Sequence, residues 1–401
     1  VGDLALSAVN IIFPATMIIG AAGFMLGTGG SAIVARTLGE GDHELANRYF
    51  SMIIYSVIIL GVILSVACAI FIEPIARLSG ASDLLMDDCI AYGRIMMLGS
   101  AAFMLQVSFQ SFLVVAEKPH MGLVLSISAG LTNMVLDYVF IAVFEMGVVG
   151  AALATVAGYC VGGLIPLVYF FRASPDRLCL SKTQFYPKEF LHTCTNGSSE
   201  LMSNISASIV GILFNIQLMR IIGEAGVAAH SVMMYVDFVF IAAFLGFSVG
   251  SAPIVSYHYG AANHSELKNV FRKSITIIAV TSVVMVLISE LLSRPLSFAF
   301  VGYDAALLDM TVHGFRLFAL CYFFCGINIY ASAFFTALSN GIISAFISFM
   351  RSLVLRGGLV LLMPIWLGLD GVWTSVIAAE ALGACIAVCF FMMQRHKYHY
   401  L

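Results

Sequence analysis

The chain of 401 residues is 61% hydrophobic and only 10% charged, with a formal net charge of −3 and a mean hydropathy of +1.01. A soluble globular domain carries about 45–50% apolar and about 25% charged residues, so this composition excludes soluble enzymes and disordered scaffolds. The few basic residues also exclude the positively charged surface that nucleic-acid binding needs. We therefore expect a polytopic membrane protein.

Eleven apolar runs are each long enough to cross a bilayer, for which a helix needs roughly 20 residues. The runs are continuous rather than alternating, which excludes a barrel of membrane strands, so we predict an all-α chain. The predicted spans are 4–35, 50–72, 90–116, 121–144, 147–171, 192–222, 226–258, 270–292, 310–338, 342–366 and 369–393.

The sequence repeats itself at an offset of 221 residues, and glycine and proline keep one register throughout. The matching pairs include Gly29 with Gly250, Gly39 with Gly260, Pro74 with Pro295, Gly147 with Gly368 and Gly150 with Gly371. Because the span 192–222 precedes the second copy, we expect a further span before Val1, and so twelve helices with the first one missing from this chain. Six helices per half make two parallel repeats. The predicted organisation is an N-lobe at 1–171, a connecting loop at 172–190 and a C-lobe at 191–401.

Lysine and arginine are concentrated on one side of the predicted spans. Twelve of the nineteen basic residues lie in the C-terminus and the loops 36–49, 117–120, 172–190, 259–273 and 339–341. Since cytoplasmic loops carry the excess of lysine and arginine, we predict that these segments are cytoplasmic and that the protein lies in the plasma (inner) membrane.

Four segments carry a family resemblance: GTGGSAIVARTLGEGD at 27–42, GFSVGSAPIVSYHYGAAN at 246–263, LTNMVLDYVFI at 131–141 and GVVGAALATVAG at 147–158. In order and spacing they resemble the multidrug and toxic compound extrusion (MATE) family, over essentially the whole chain. The resemblance implies two six-helix lobes around a central cavity. It also implies export of amphipathic, often cationic compounds, driven by entry of H⁺ or Na⁺.

Charged residues inside membrane spans are expensive and are candidates for function. By a rise of about 1.5 Å per residue, Asp137 lies about 24 Å into its span, and Asn133 and Thr155 reach a similar depth. Carboxylate, amide and hydroxyl oxygens at one depth predict a site for Na⁺ or a proton carrier. The resemblance also implies a cation site at these three positions, with a partner aspartate in the helix that precedes Val1. The alternative is that Asp137 only hydrogen-bonds neighbouring helices.

Glu200 and Asp237 are candidates for a second cation or substrate site. Another branch of the resembled family carries a cation on a glutamate near Glu200, together with an aspartate in the tenth helix. Here the span 310–338 has Asp309 only at its mouth, which departs from that pattern, and a satisfied polar cluster around Glu200 is the alternative. Asp237, near mid-bilayer, would attract a cationic drug or be protonated.

Two basic residues and one acid fall in the last two spans. Arg351 and Glu380 lie at similar depths, so we predict an intramembrane ion pair, and Arg356 pairs with either Asp237 or Glu380. We also predict helix bends at Pro14 and Pro253, because proline removes a backbone hydrogen bond inside a helix.

The functional expectation is a monomeric secondary antiporter for amphipathic or cationic small molecules, embedded in the lipid bilayer. No G-x-x-x-x-G-K-[ST] motif occurs, so we expect no nucleotide, no nucleic acid and no cofactor apart from the coupling ion, with no metal other than Na⁺ at Asp137. A flippase for lipid-linked saccharides is the alternative, although only Arg351 and Arg356 are available inside spans to bind a pyrophosphate. A passive channel is a further alternative function. We expect no enzyme, because the histidines lie at span ends without a catalytic partner.

Overall fold

The computed structural model describes residues 3–79, 81–174 and 177–401, and these residues contain helices and no strand. Ten of the described helices are long and apolar enough to cross a membrane. An eleventh span is made of two helices, Ala305–Ala319 and Tyr322–Ala337, that bend by 49° at the break between them. Counting the bent pair as one span gives the eleven predicted spans within the described part of the chain, and the protein is an all-α, multi-pass membrane protein.

The chain divides into two compact units, Val1–Leu201 and Met202–Leu401. The helices up to the boundary are α1 Asp3–Gly39, α2 His43–Ile70, α3 Ile72–Leu78, α4 Met86–Val115, α5 Pro119–Asp137, the π-helix π1 Tyr138–Val143, α6 Gly147–Arg172 and α7 Pro187–Ile222. The last of these, α7, begins in the first unit and ends in the second.

The second unit contains the helices that follow α7. They are α8 Glu224–Gly260, α9 His264–Val301, α10 Ala305–Ala319, α11 Tyr322–Ala337, α12 Gly341–Phe349, the π-helix π2 Met350–Leu355, α13 Arg356–Leu362 and α14 Pro364–Tyr398. The predicted span 342–366 is therefore α12, π2 and α13 in succession. Gly368, inside α14, has a non-helical backbone, and this break corresponds to the predicted gap between the last two spans.

Small residues let α1 and α4 approach closely in the core of the first unit. A Cβ added to Gly23 would lie 2.8 Å from the Met104 Cα atom, and one added to Gly27 would lie 2.7 Å from the Ser108 Cα atom. The Ser108 hydroxyl donates a hydrogen bond of 2.9 Å to the Gly23 carbonyl. Close backbone approach through small residues is the ordinary way in which membrane helices pack.

The segment predicted as a connecting loop, 172–190, packs against α2 in the first unit; its residues 175 and 176 lie outside the described part of the chain. The Cys179 N–H donates to the Asn47 side-chain oxygen at 3.0 Å, and the Ser181 N–H donates to the Ser51 hydroxyl at 2.8 Å. These bonds satisfy backbone groups that no regular helix or strand would satisfy.

The local backbone repeats at the sequence offset of 221 residues. Asp42 caps α2 by accepting from the Leu45 N–H, and Asn263 caps α9 in the same way from the Glu266 N–H. Gly147 and Gly368 both have positive φ angles, of 57° and 58°. Glycine adopts this conformation without the Cβ clash that other residues suffer, which explains why glycine occurs at both positions.

The two prolines predicted to bend helices lie within long helices. Pro14 is inside α1 and Pro253 is inside α8, and each helix continues on both sides. Each proline removes one N–H donor from its helix and leaves one carbonyl without its usual partner. The bends themselves stay predictions.

The residues that precede the two caps provide a test of the backbone repeat. Gly41 and Ala262 are equivalent by the offset, and their φ angles are 89° and 52°. We expect Gly41→Ala to lower the free energy of unfolding by about 1 kcal/mol, because a Cβ is strained in the left-handed region. Ala262→Gly should raise it by a smaller amount, because relief of the strain is partly offset by the entropy of glycine.

Thermal unfolding in detergent measures both effects. Gly130→Ala is the control, since nothing lies within 4 Å of an added Cβ at that helical position. Alanine is the better helix former, so the control should be neutral or stabilising. Equal shifts for Gly41→Ala and Gly130→Ala would show that the left-handed turn does not limit stability.

Candidate functional site

Two spans of the first unit bring together the three residues predicted as the cation site. The Asn133 amide nitrogen donates to the Thr155 hydroxyl oxygen at 3.3 Å, and the Thr155 hydroxyl donates to the Ala151 carbonyl of its own helix at 2.9 Å. Asp137 follows Asn133 by one helical turn, and the two side chains interact by a hydrogen bond. All three side chains are half-buried, so the site is a small group of oxygen and amide ligands within the apolar spans.

Close packing of α5 on α6 positions this group. A Cβ added to Gly158 would lie 2.9 Å from the Ala129 carbonyl oxygen and 3.4 Å from the Asn133 Cβ, so only glycine permits the observed approach. Tyr92 of α4, which is 6% exposed, lies within electrostatic range of Asp137. The site therefore draws on three helices of the first unit.

The helix changes from α to π directly after Asp137. The π-helix π1 covers Tyr138–Val143, and the Phe144 N–H donates to the Val139 carbonyl five residues earlier. Short π-helical segments are rare and occur frequently at functional sites. The predicted span 121–144 is one regular helix, so the π-helix π1 was not predicted from the sequence.

The second unit contains a buried carboxylate with two guanidinium partners. Glu380 of α14 is fully buried. The Arg351 Nε donates to both Glu380 carboxylate oxygens at 2.9 Å, and the Arg356 Nη2 donates to Oε1 at 2.8 Å. The choice that the sequence left open for Arg356 is thus resolved: its ion pair is with Glu380.

The π-helix π2 explains how both arginines reach one carboxylate. Arg351 and Arg356 are five residues apart, and in an α-helix of 3.6 residues per turn such residues point in different directions. π2 spans Met350–Leu355, and its i to i+5 hydrogen bonding stacks residues five apart. The wider turn therefore places both guanidinium groups on the side of Glu380.

Asn328 completes the coordination of Glu380. Its amide nitrogen donates to the Glu380 carbonyl at 2.9 Å and to the carboxylate oxygen Oε2 at 2.6 Å. Asn328 was not among the predicted site residues. Its amide is a polar group inside the apolar span 310–338, which could have marked it as a candidate partner for a charged residue.

Asp237 lies in the same unit, close to the arginine–glutamate group. It is 6% exposed, and it interacts electrostatically with Arg356 and with the Tyr322 hydroxyl. Its Oδ1 atom has no hydrogen bond of ordinary geometry to any described residue. Glu200, the other second-site candidate, is a half-buried residue of α7 in the first unit, so the two candidates belong to different units.

Within the described residues there is no cluster of three or more histidine, cysteine, aspartate or glutamate side chains that could hold a metal ion. The nine cysteines are free thiols. The polar groups described above make ion pairs at Glu380 and hydrogen bonds at Asn133 and Thr155.

Known proteins resemble this chain along almost its whole length. The sequence profile of the MatE family matches residues 1–139 and 201–362. The multidrug export protein MepA of Staphylococcus saprophyticus is 24% identical over 394 residues, which cover 98% of this chain and 86% of that protein. MepA of Staphylococcus aureus is 23% identical over 393 residues, with the same coverage.

Solved structures share the fold. An outward-facing multidrug resistance MATE transporter of the MOP superfamily gives a TM-score of 0.93 at 24% identity, covering 100% of this chain and 90% of that one. A MOP superfamily transporter from Pyrococcus furiosus, described as having a binding pocket of reverse polarity, gives a TM-score of 0.91 at 22% identity, covering 99% and 89%.

The chain belongs to the MatE family. It is a membrane-embedded transporter rather than an enzyme. Two groups of polar residues in this MatE transporter differ in their charges. Asn133, Asp137 and Thr155 form a group with one carboxyl and no ion pair among the described residues. Glu380 is already ion-paired with Arg351 and Arg356.

The Glu380 centre of this MatE transporter should be essential for stability. The Arg351 and Arg356 side chains are 15% and 20% exposed, so Glu380→Gln leaves two largely buried guanidinium groups without the carboxylate with which they form ion pairs. Loss of one partner of a buried ion pair costs about 3–5 kcal/mol. We expect a correspondingly large drop in thermal stability in detergent, and a smaller one for Glu380→Asp, which keeps the charge.

Glu290→Gln is the matched control in the same unit. Glu290 faces Arg316 at 3.8 Å, and the two side chains are 38% and 56% exposed. Exposed ion pairs contribute about 0–1 kcal/mol, so this variant should unfold close to the wild-type temperature. Similar losses for Glu290→Gln and Glu380→Gln would contradict a structural role for the buried centre.

Proposed function

We propose that this MatE-family transporter exports amphipathic, cationic small molecules by antiport with H⁺ or Na⁺. The curated relatives are named multidrug export proteins, and this supports a small-molecule cargo for a membrane-embedded transporter of the same family. The proposal includes the monomeric state and an orientation with loops 36–49, 172–190, 259–273 and the C-terminus in the cytoplasm, which rests on the distribution of basic residues.

The coupling ion binds in the first unit, at Asn133, Asp137 and Thr155. The observation that carries this assignment is the contact between Asn133 and Thr155 beside the Asp137 carboxyl, which has no ion pair with any described basic residue. A carboxylate in an apolar span is stabilised by a cation or a proton. Binding of either one neutralises Asp137 and removes the cost of keeping its charge in the spans.

Neutralisation of Asp137 drives transport only if the ion binds two conformations of the protein with different affinities. π1 begins at the residue after Asp137, so a change in the charge of that carboxyl acts directly on a segment with irregular backbone hydrogen bonding. We infer that this segment is where ion binding alters the packing of α5 on α6. The carboxyl holds the ion, and Asn133 and Thr155 orient it.

The lipid-linked saccharide flippase is less well supported by the described residues. Such a cargo needs guanidinium groups that are free to bind a pyrophosphate. Arg351 and Arg356, the two candidates for that role, donate to Glu380 instead. The cation exporter is therefore the function that the geometry favours.

Uphill efflux from proteoliposomes tests the proposal. Proteoliposomes that contain the full-length protein are loaded with a fluorescent cation. An H⁺ gradient or a Na⁺ gradient is then imposed across their membrane in separate experiments. We expect one gradient to drive efflux in the wild type, and Asp137→Asn to reduce that efflux by about tenfold or more, because a lost charge–cation contact exceeds about 1.4 kcal/mol. Thr155→Val should give a smaller loss.

Asp87→Asn serves as the control, since Asp87 is an exposed residue in the first turn of α4 in the same unit. Its efflux should equal that of the wild type. If Asp137→Asn folds normally and retains full gradient-driven efflux, the coupling site is not at Asp137. If neither gradient drives efflux of any tested cation, the antiport proposal is wrong.

A further inference from the structure

A group of buried polar atoms lies beside the Glu380 centre in the second unit. Four of them have no hydrogen bond of ordinary geometry to any described residue: Asp237 Oδ1, the Tyr322 hydroxyl, His230 Nδ1 and Trp373 Nε1. The four side chains are between 0% and 6% exposed. The Asp237 carboxyl and the Tyr322 hydroxyl interact with each other. His230 Nδ1 and Trp373 Nε1 have no hydrogen-bond partner among the described residues, at a cost of about 1–3 kcal/mol for each unpaired buried group.

The four side chains belong to one neighbourhood. His230 and Asp237 are seven residues apart on α8, which is two helical turns and places them on one face. The His230 ring stacks on Trp373, with 5.9 Å between the ring centroids, and on Phe214 at 4.7 Å. The Tyr322 hydroxyl lies beside the Asp237 carboxyl. We call these four residues the α8 polar pocket.

The charges around Asp237 balance only when its carboxyl is ionised. Arg351 and Arg356 carry two positive charges, and Glu380 carries one negative charge against them. The ionised Asp237 brings this group to neutrality, whereas the protonated acid leaves it with one net positive charge. Burial favours the neutral acid and Arg356 favours the carboxylate, so two opposed effects act on one group.

The groups facing Asp237 come from several elements. Those with an electrostatic interaction with it are Tyr322, Cys321, Cys325, Arg351, Arg356 and Glu380. On its own helix, His230 interacts with Arg356. The charged side chains of α9 and α10, which also pack against α8, are exposed or half-exposed. The charge that responds to Asp237 is thus the arginine–glutamate group.

A proton fits the α8 polar pocket better than a metal cation does. A hard cation needs several oxygen ligands, and Glu380, the second carboxylate that interacts with Asp237, is already ion-paired with Arg351 and Arg356. A metal cation would also add a permanent positive charge near two guanidinium groups. A proton forms an O–H bond with the carboxylate, which changes its charge from −1 to zero, and needs no further ligand.

We propose that the second unit contains a proton-binding site at Asp237, in which Arg356 stabilises the carboxylate and Glu380 holds Arg356 in place. The proton comes from water and returns to water. Tyr322, whose hydroxyl interacts with the Asp237 carboxyl, is the positioning residue of the site. A role of this proton site in transport rests on the proposed function. Proton binding at Asp237 can be measured without transport, and Asp237 is a different residue from the proposed coupling residue Asp137.

Infrared difference spectroscopy of the full-length protein in detergent tests the proposal directly. A protonated carboxylic acid has a carbonyl stretch that the carboxylate lacks. We expect the difference between wild type and Asp237→Asn to contain this band at low pH and to lose it as the pH rises. Labelling the aspartate side-chain carboxyl with ¹³C should shift the same band in the wild type, without any substitution that could affect folding.

Substitution of Arg356 tests the electrostatic part. In Arg356→Gln the cation that favours the carboxylate is gone, so the acid form should persist at proton concentrations about tenfold lower. Arg356→Lys keeps the charge and should titrate closer to the wild type. Asp309→Asn, which alters an exposed aspartate of α10, should leave the band unchanged.

The outcomes separate this proposal from the proposed function. If the Asp237 band is absent at every pH at which the protein is folded, or if it titrates identically in the wild type and Arg356→Gln, the proton site is wrong. If the band is intact in Asp137→Asn while efflux is lost, the proton site stands beside a coupling site at Asp137. A normal band in a protein that shows no gradient-driven efflux supports the site and refutes the exporter.

Discussion

The pairing of one carboxylate with two guanidinium groups is the interaction on which the second unit depends. Within an apolar span each isolated charge costs several kcal/mol, so Glu380, Arg351 and Arg356 are stable there only as a group. The group joins four elements, because Glu380 lies on α14, Asn328 on α11, Arg351 in π2 and Arg356 at the start of α13. The α-to-π change in the predicted span 342–366 is the backbone adjustment that makes this pairing geometrically feasible, and it has a local cost in helix regularity that the ion pairs offset.

The two halves of the chain share a backbone pattern but differ in their charges. The helix caps at Asp42 and Asn263 and the positive φ angles at Gly147 and Gly368 recur at the offset of 221 residues. The charged residues that face each other inside the spans do not recur: at that offset Asp137 corresponds to Gly358, and Glu380 corresponds to Tyr159. Caps and turns are dictated by backbone chemistry common to both halves, whereas charges inside spans are retained for the chemistry of each half. Duplication therefore produced two similar frameworks with two different polar groups.

The membrane spans could be predicted from the sequence, because the thickness of the bilayer requires an apolar run of about 20 residues for each spanning helix. Sequence reasoning also predicted the pairing of Arg351 with Glu380, since helical rise alone places them at one depth. It did not decide the partner of Arg356, because that depends on a π-helical turn whose extra residue per turn leaves no mark in composition or periodicity. It predicted Asp237 but missed Asn328 and the other residues of the α8 polar pocket, because an amide, phenol or imidazole group in a span has no distinguishing pattern until the packing shows what it faces. The break at residues 320 and 321 was equally invisible, since the apolar run continues through it.

The fold alone does not determine what a transporter of this family carries. Chains with TM-scores of 0.93 and 0.91 to this one include a multidrug resistance transporter and one with a binding pocket of reverse polarity, so the same helices accommodate opposite electrostatics. Function must then be argued from the charges that the chain itself places in its spans. In this protein Arg351 and Arg356 are bound to Glu380, and Asp137 and Asp237 are the carboxyls that we propose to bind a cation or a proton. One lies among oxygen ligands and the other lies beside a guanidinium, so the first is suited to either coupling ion and the second is suited to a proton. The division follows from electrostatics within each unit.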